Sequence, residues 1–255
     1  MTRSFNLSQT QGNVGGALPP FTAGKNKIIN GDFGVWQRGT SFSIPAGGTA
    51  TFTADRFFAN RDGSGATVTI SQQTFTPGTA PVSGYESAYF YRYNQSVAGT
   101  GGTYINFFSQ RIEDVRTFAG QTVTVSFWAK ADSARSIVVG YGQEFGSGGS
   151  STVYGSIGST TALTTSWARY TFTATIPSVS GKTIGSGSDL QIFAQPTVAN
   201  TTMTLDIWGV QVEAGSVATP FTTATGTIQG ELAACQRYYV RFTPNGATNG
   251  WVTAF

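Results

Sequence analysis

The sequence predicts an all-β protein built from two packed antiparallel sheets. Short runs in which apolar and polar residues alternate recur along the chain, and this is the pattern of strands with one buried face. Glycine accounts for 33 of the 255 residues and supplies the positive φ angles that tight turns between strands require. Strands do not alternate regularly with helices, so a parallel βαβ architecture is not expected.

The first segment, residues 1–25, contains Gly-Gly and Pro-Pro pairs and has no sustained periodicity. We therefore expect an extended arm that lies outside the sandwich. Phe5 and Leu7 alternate with polar residues, which favours an added strand on a neighbouring protein and makes this segment a candidate attachment arm. The alternative is a flexible terminus.

The sandwich itself is expected over residues 26–225. Residues 89–93 alternate tyrosines with Phe and Arg, and residues 123–128 (VTVSFW) read as a half-buried strand. Glycine-rich stretches at 146–149 and 185–187 predict loops between later strands.

Residues 226–255 are predicted to form a short helix and the start of a further β region. Ile228, Leu232, Cys235 and Tyr239 recur at spacings of four, three and four residues, which places them on one helix face. Cys235 is the only cysteine, and we expect it in that face as a small apolar residue. Asn245-Gly246 predicts the turn of a C-terminal hairpin.

The composition does not favour an enzyme. The chain has no histidine, which removes imidazole acid–base chemistry, Ser-His-Asp and Cys-His arrangements, and zinc sites that contain histidine. Asp206 and Glu213 fall on one predicted strand, where alternation puts them on opposite faces and roughly 23 Å apart. A glycosidase pair needs about 5–9.5 Å. A carboxylate pair assembled from distant segments stays open.

Charge and hydropathy point to neither nucleic acid nor membrane. The net charge is +3 and the fifteen basic residues are scattered, so no stripe predicts nucleic-acid binding. No N-terminal stretch has the pattern of a signal peptide, and no apolar run approaches the length that spans a bilayer.

Five strings carry a resemblance to a known family. They are KIINGDFGVWQRG (27–39), QRIEDVRTFAGQTVTVSFWAKA (110–131), TSWARYTFTATIP (165–177), LDIWGVQVEAGSVATPF (205–221) and ELAACQRYY (231–239). In this order they resemble a β-sandwich domain that recurs in virion proteins of tailed bacteriophages, chiefly tail fibres and other appendages. That domain is itself similar to carbohydrate-binding modules of jelly-roll type.

The resemblance implies a structural virion protein with a jelly-roll sandwich, located on the tail, neck or capsid surface. It implies a homo-oligomer, with a trimer favoured, and attachment to other virion proteins through the N-terminal arm. Contact with a host surface polysaccharide is expected as a secondary activity. The alternatives are a free or tip-located glycan-binding module and, less favoured, a polysaccharide-degrading tailspike.

The resemblance also implies a possible structural calcium ion between the first and last strands. The matching positions are Asn30, Gly31, Asp32 and Asp206. Calcium requires six to eight oxygen ligands. Alternation places Asp206 on the strand face that carries Trp208, Val210 and Val212, where it needs a partner. Calcium, Arg38, Arg56 and backbone amides are the alternatives, and Asp55-Arg56 is expected to form a structural turn and ion pair.

For a glycan, aromatic rings near the central strands are the candidate platforms. They are Tyr89, Tyr91, Trp128, Tyr141 and Tyr154. Aromatic residues also fill the cores of sandwiches, so the alternative for each of these positions is a buried place in the core. Tyr141 and Tyr154 flank the Gly-Ser loop and are expected to be exposed, whereas Trp36 and Trp208 are expected in the core.

Overall fold

The computed structural model describes residues 24–102 and 104–241, without the side chains of residues 160 and 161. Two six-stranded antiparallel sheets pack face to face, which confirms the predicted all-β sandwich. The predicted arm with Phe5 and Leu7 and the predicted hairpin at Asn245-Gly246 lie outside the described residues.

The first sheet has the strand order β1-β4-β5-β12-β7-β10. Its strands are β1 (Ser41–Ser43), β4 (Thr67–Thr74), β5 (Tyr89–Val97), β7 (Thr122–Ala131), β10 (Ala168–Thr175) and β12 (Met203–Ala214). The second sheet has the order β2-β3-β6-β11-β8-β9. Its strands are β2 (Thr51–Phe52), β3 (Phe58–Arg61), β6 (Ile105–Glu113), β8 (Arg135–Glu144), β9 (Val153–Leu163) and β11 (Asp189–Pro196).

The main core fills the space between the two sheets. Val123, Val125 and Phe127 of β7 point into it, as the alternation in the sequence predicts. Tyr91 is fully buried there and donates a hydrogen bond from its hydroxyl to the Phe107 carbonyl, at 2.8 Å. The buried phenol is therefore satisfied, as a core tyrosine requires.

A second aromatic cluster covers the outer face of the first sheet. Trp208 lies at its centre, fully buried, and donates from its indole nitrogen to Ser87 Oγ at 2.8 Å. Trp128 and the loop residues Tyr85 and Phe221 pack around it. Loops of the chain thus shield the part of this face around Trp208 from solvent. Trp208 is buried as predicted, but outside the main core.

A β-bulge in β12 corrects one prediction from the sequence. The register with β7 shifts between Trp208 and Gln211, and Gly209 has a φ of 68°, so one extra residue reverses the alternation. Val210 and Val212 consequently point into the main core, while Asp206 and Trp208 point outward. The prediction that Asp206 shares a face with the two valines was wrong.

Helix α1 spans Ile228–Gln236 and begins at the N-cap Thr227, whose side chain accepts a hydrogen bond from the Gly230 amide. Its buried residues are Glu231 and Cys235, whereas Ile228 is 71% exposed and Leu232 40%. The predicted apolar face is therefore not the packing face. Cys235 is buried, as expected.

A charged residue anchors the helix instead of an apolar stripe. Glu231 accepts the Asn30 amide at 2.6 Å and the Thr225 amide at 2.7 Å. These bonds hold α1 against the turn formed by residues 30–35. Tyr239 follows the end of the helix, and its ring lies 3.6 Å beneath the Arg38 guanidinium.

Candidate functional site

The outer face of the second sheet carries an open groove of about 410 Å³. Its floor crosses strands β3, β6, β11, β8 and β9, and Tyr104 contributes from the loop before β6. This face has aromatic, amide and charged side chains open to solvent. Grooves of this composition are typical binding sites for small polar molecules.

Two glycines of β8 let aromatic rings pack directly against the strand backbone. Gly140 is paired with Phe193 of β11, and Gly142 with Tyr154 of β9. A Cβ at position 140 would overlap the Phe193 ring, and one at 142 would lie 2.8 Å from Tyr154 Cε1. The two rings have centroids 6.4 Å apart, and Tyr154 is 63% exposed. The glycines thus provide the space in which both rings cover the backbone.

Amide side chains line the remainder of the groove. Asn106 Nδ2 donates to Asn60 Oδ1 at 3.0 Å, and Asn60 Nδ2 donates to the Gly48 carbonyl at 3.2 Å. The Asn106 Oδ1 atom is buried and has no hydrogen-bond partner among the described residues. Gln191 Nε2 donates to Ser109 Oγ at 3.2 Å. Amides both donate and accept, which suits the hydroxyl groups of a sugar.

Three charged residues stand at one end of the groove. Arg111 Nη1 contacts Asp189 Oδ2 at 3.1 Å, and Glu144 accepts a hydrogen bond from the Tyr154 hydroxyl at 3.1 Å. Burial raises the pKa of Asp189 to about 6, with Glu144 adding to the increase and Arg111 opposing it. Burial also raises the pKa of Tyr154, and Glu144 contributes.

Of the five predicted aromatic platforms, only Tyr154 lies in this groove. Tyr141 alternates with Gly140 and Gly142, so it points the other way into the main core, and the prediction that it is exposed was wrong. Tyr91 is also core. Tyr89 and Trp128 belong to the first sheet. The structure therefore does not bring the predicted set together.

Three of the four predicted calcium ligands lie near a second cavity, of about 610 Å³. The Asn30 side chain is used internally: Nδ2 donates to the carbonyls of Val35 and Asp55, and Oδ1 accepts the Val35 amide. The Gly31 carbonyl accepts the Val210 amide at 2.8 Å. Asp32 faces the cavity, where burial raises its pKa.

The fourth predicted ligand, Asp206, belongs to a different set of contacts. It receives two hydrogen bonds from Arg92, at 2.6 and 2.8 Å, and Lys130 lies 3.6 Å away. Its side-chain partners are therefore Arg92 and Lys130, and neither Arg38 nor Arg56. Gly31 pairs with Val210, four residues further along β12, which separates the two places by about 13 Å.

The four predicted calcium ligands are not gathered at one place. Within residues 24–102 and 104–241, no group of three or more Asp, Glu, Cys or His side chains is placed to hold a metal. The turn predicted at Asp55-Arg56 is present, but Asp55 pairs with Arg38 at 2.9 Å. The Arg56 guanidinium instead stacks on the Tyr238 ring at 3.4 Å.

Sequence reasoning missed most of the groove. Asn60, Asn106, Gln191 and Phe193 come from three strands that only the sheet order brings together. The available signal was the Gly-Tyr-Gly run at 140–142, since glycine inside a strand marks a close approach by another group.

Comparison with known proteins gives a partial family match. A family model described as a carbohydrate binding domain matches residues 82–198, which include β6, β8, β9 and β11 of the groove. No curated protein matches the chain. In the described part of the chain, no helix is both long enough and apolar enough to cross a bilayer.

Several solved structures are similar to this chain at low identity. The CBM22-2 xylan-binding domain of Paenibacillus barcinonensis Xyn10C is 17% identical with a TM-score of 0.43, covering 73% of this chain and 97% of that one. The C-terminal family 22 carbohydrate binding module of Clostridium thermocellum Xyn10B is 17% identical with a TM-score of 0.42, covering 66% and 91%. The enzymatically active domain of bacteriophage CBA120 tailspike protein 4 is 14% identical with a TM-score of 0.43, covering 75% of this chain but 22% of that one.

Proposed function

We propose that this protein binds a glycan in the groove on the second sheet. The observation that carries the proposal is the Tyr154 ring, 63% exposed and lying across Gly142 beside Phe193. An exposed aromatic face suits the apolar face of a sugar ring, and the neighbouring amides suit its hydroxyls. The carbohydrate binding domain model that matches residues 82–198 supports the same function.

The five strings described above support a more specific setting. In this proposal the groove belongs to a surface appendage of a tailed phage and contacts a polysaccharide of the host surface. The chain acts as a homo-oligomer, with a trimer favoured, and attaches to other virion proteins through residues 1–25. A single-particle reconstruction of intact virions tests this setting, and absence of the chain from particles would rule it out.

The proposed activity is binding without cleavage. In the groove, the fold brings Glu144 and Asp189 together from distant segments, and both side chains project from the same face of one sheet. In the other cavity it brings together Asp32 and Glu231. Glycosidases place two carboxylates on either side of the scissile bond. Incubation with a bound oligosaccharide should therefore release no new reducing ends, and their appearance would assign an enzyme instead.

The test of binding is a glycan array followed by titration calorimetry with the full chain. Tyr154→Ala should weaken the affinity about tenfold, since an aromatic contact contributes about 0.5–1.5 kcal/mol beyond its buried area. Tyr89→Ala is the matched control, because Tyr89 lines the other cavity, and it should leave the affinity within about twofold. Equal losses in both variants, or no binding by the wild type, would refute the proposal.

A further inference from the structure

Two acids stand side by side at the charged end of the groove, and one of them has no ion-pair partner among the described residues. Asp189 of β11 and Glu144 of β8 lie directly opposite each other in neighbouring strands. Two like charges in such a cross-strand pair repel each other and destabilise the pair. Arg111 pairs with Asp189. Glu144 accepts only hydroxyl donors, from Tyr154 and Thr152, and no lysine or arginine of the described residues lies within ion-pair distance of it. Arg56 also acts on Asp189 and lowers its pKa, and Glu113, the other cross-strand neighbour of Asp189, pairs with Arg237. Glu144 is therefore the acid at this end that has no cationic partner among the described residues.

Asp189 also has an unfilled acceptor. Its side chain is 10% exposed, and Oδ1 is buried without a hydrogen-bond partner among the described residues. The side chain points to the groove, because residues two apart in a strand lie on the same face and Asp189 thus shares its face of β11 with Gln191 and Phe193, which line the groove. Unpartnered buried polar atoms are rare in native proteins, so one at a binding groove points to a group supplied from outside.

We propose that the groove selects a glycan that carries a protonated primary amine, with the ammonium group at the Glu144–Asp189 end. This inference rests on the proposed glycan binding. An ammonium group supplies three N–H donors together with a positive charge. It can therefore form an ion pair with Glu144 and donate a hydrogen bond to Asp189 Oδ1. A hydroxyl would donate without neutralising the charge, and a carboxylate, sulfate or phosphate would be repelled.

Tyr154 connects this amine site to the aromatic platform. Its hydroxyl donates to Glu144 Oε1, so the carboxylate lies at the edge of the exposed ring. A sugar that stacks on this ring thereby brings its substituents to Glu144. The ring face also favours a cation over a neutral group.

The selectivity must be local, because the whole protein carries a net charge of +3. At long range that charge repels a cationic oligosaccharide rather than attracting it. A preference for the amine would therefore report on contacts in the groove and not on general electrostatic attraction.

The experiment compares oligosaccharides of equal length by titration calorimetry at about pH 7, above the pKa of about 6 of Asp189, so that this carboxyl is ionised. The probes are a glucosamine oligomer, its N-acetylated counterpart and a galacturonic acid oligomer. The wild type should bind the free amine about tenfold more tightly than the N-acetylated oligomer, as expected for a hydrogen bond between charged groups. The uronic acid oligomer should bind most weakly. Glu144→Gln should reduce the amine preference to about one, while the matched control Glu86→Gln, an exposed acid outside the groove, should keep it.

The outcomes separate the inference from the function on which it rests. Equal affinity of the wild type for the amine and N-acetyl oligomers overturns the amine site and leaves glycan binding intact. An amine preference that survives in Glu144→Gln also overturns it. If no oligosaccharide on the array binds, glycan binding itself fails, and the amine site fails with it. The wild-type ratio needs no variant, so the test does not depend on how well Glu144→Gln folds.

Discussion

Replacing Gly142 by alanine should weaken binding without weakening the fold. The new Cβ would lie 2.8 Å from Tyr154 Cε1 and 3.0 Å from Cδ1, too close for the ring to stay where it is. Because Tyr154 is 63% exposed, the ring can tilt into solvent. Alanine in a strand also gains about 0.5–1 kcal/mol over glycine. We expect the free energy of unfolding to stay level or rise slightly.

Glycan affinity should fall in the same variant, since the displaced ring no longer packs against residue 142. A loss of about 1 kcal/mol corresponds to roughly fivefold weaker binding. Urea unfolding followed by tryptophan fluorescence measures the free energy of unfolding, and titration calorimetry measures the glycan affinity. Unchanged affinity would show that the ring against Gly142 is not the platform.

Gly155→Ala is the counterpart on the other side of the same sheet. There the Cβ would overlap the ring of Tyr141, which is buried and has no room to move. Overpacking of this kind costs about 1–3 kcal/mol. We expect lower stability with little change in glycan affinity. If the two glycine variants behaved alike, the assignment of one face as core and the other as binding surface would be wrong.

Three further predictions concern buried groups. Arg92→Met should lower the free energy of unfolding by about 2–3 kcal/mol in a urea titration, because buried Asp206 is left with Lys130 alone; a loss below about 0.5 kcal/mol would contradict this. The pKa of Asp189, about 6 in the folded state, exceeds its unfolded value of about 4, so the folded state binds the proton more tightly and ionisation destabilises it. Relative to Asp189→Asn, the free energy of unfolding of the wild type should rise by up to about 2 kcal/mol as the pH falls from about 6 to about 4. If the free energies of unfolding of the two proteins changed with pH in parallel, the raised pKa of Asp189 would be refuted. Burial raises the pKa of the Cys235 thiol to about 12, so a thiol reagent should modify it only after unfolding, and rapid reaction of the native protein would disprove this.

The fold was predictable where the strand period is regular. In β7, Val123, Val125 and Phe127 alternate with polar residues and point to the core, because a period of two assigns each side chain to one face. The prediction failed where one residue interrupts the period. A glycine inside a strand is a known sign of a bulge, but the prediction carried the alternation straight through Gly209 and so put Asp206 and Val210 on one face.

The helix shows a different reason for failure. The apolar spacing of Ile228 and Leu232 is real, but the helix is held by Glu231, whose carboxylate accepts two distant backbone amides. Periodicity assumes that apolar burial determines the packing face. An analysis based on that assumption does not predict a packing face that is set by a buried carboxylate bound to backbone amides of another segment.

Most of the candidate site depends on sheet order. Asp206 finds Arg92 because β12 and β5 are neighbours in one particular register, and Glu144 faces Asp189 for the same reason in β8 and β11. Sequence alone gives the residue types and the strands, but not which strands are adjacent. Tyr154 was predictable as an exposed aromatic because it follows a glycine-rich loop.

The different coverage of the two outer faces affects how the sequence can diversify. On the first sheet, loops seal Trp208 beneath them, so a substitution there disturbs the packing of several segments at once. On the second sheet, Tyr154 is exposed and Gln195 half-exposed on a strand face whose opposite side is the main core. They can be exchanged with little cost to folding. A lineage that carries this sandwich can therefore change its ligand by point mutations on one face while the other face stays nearly constant.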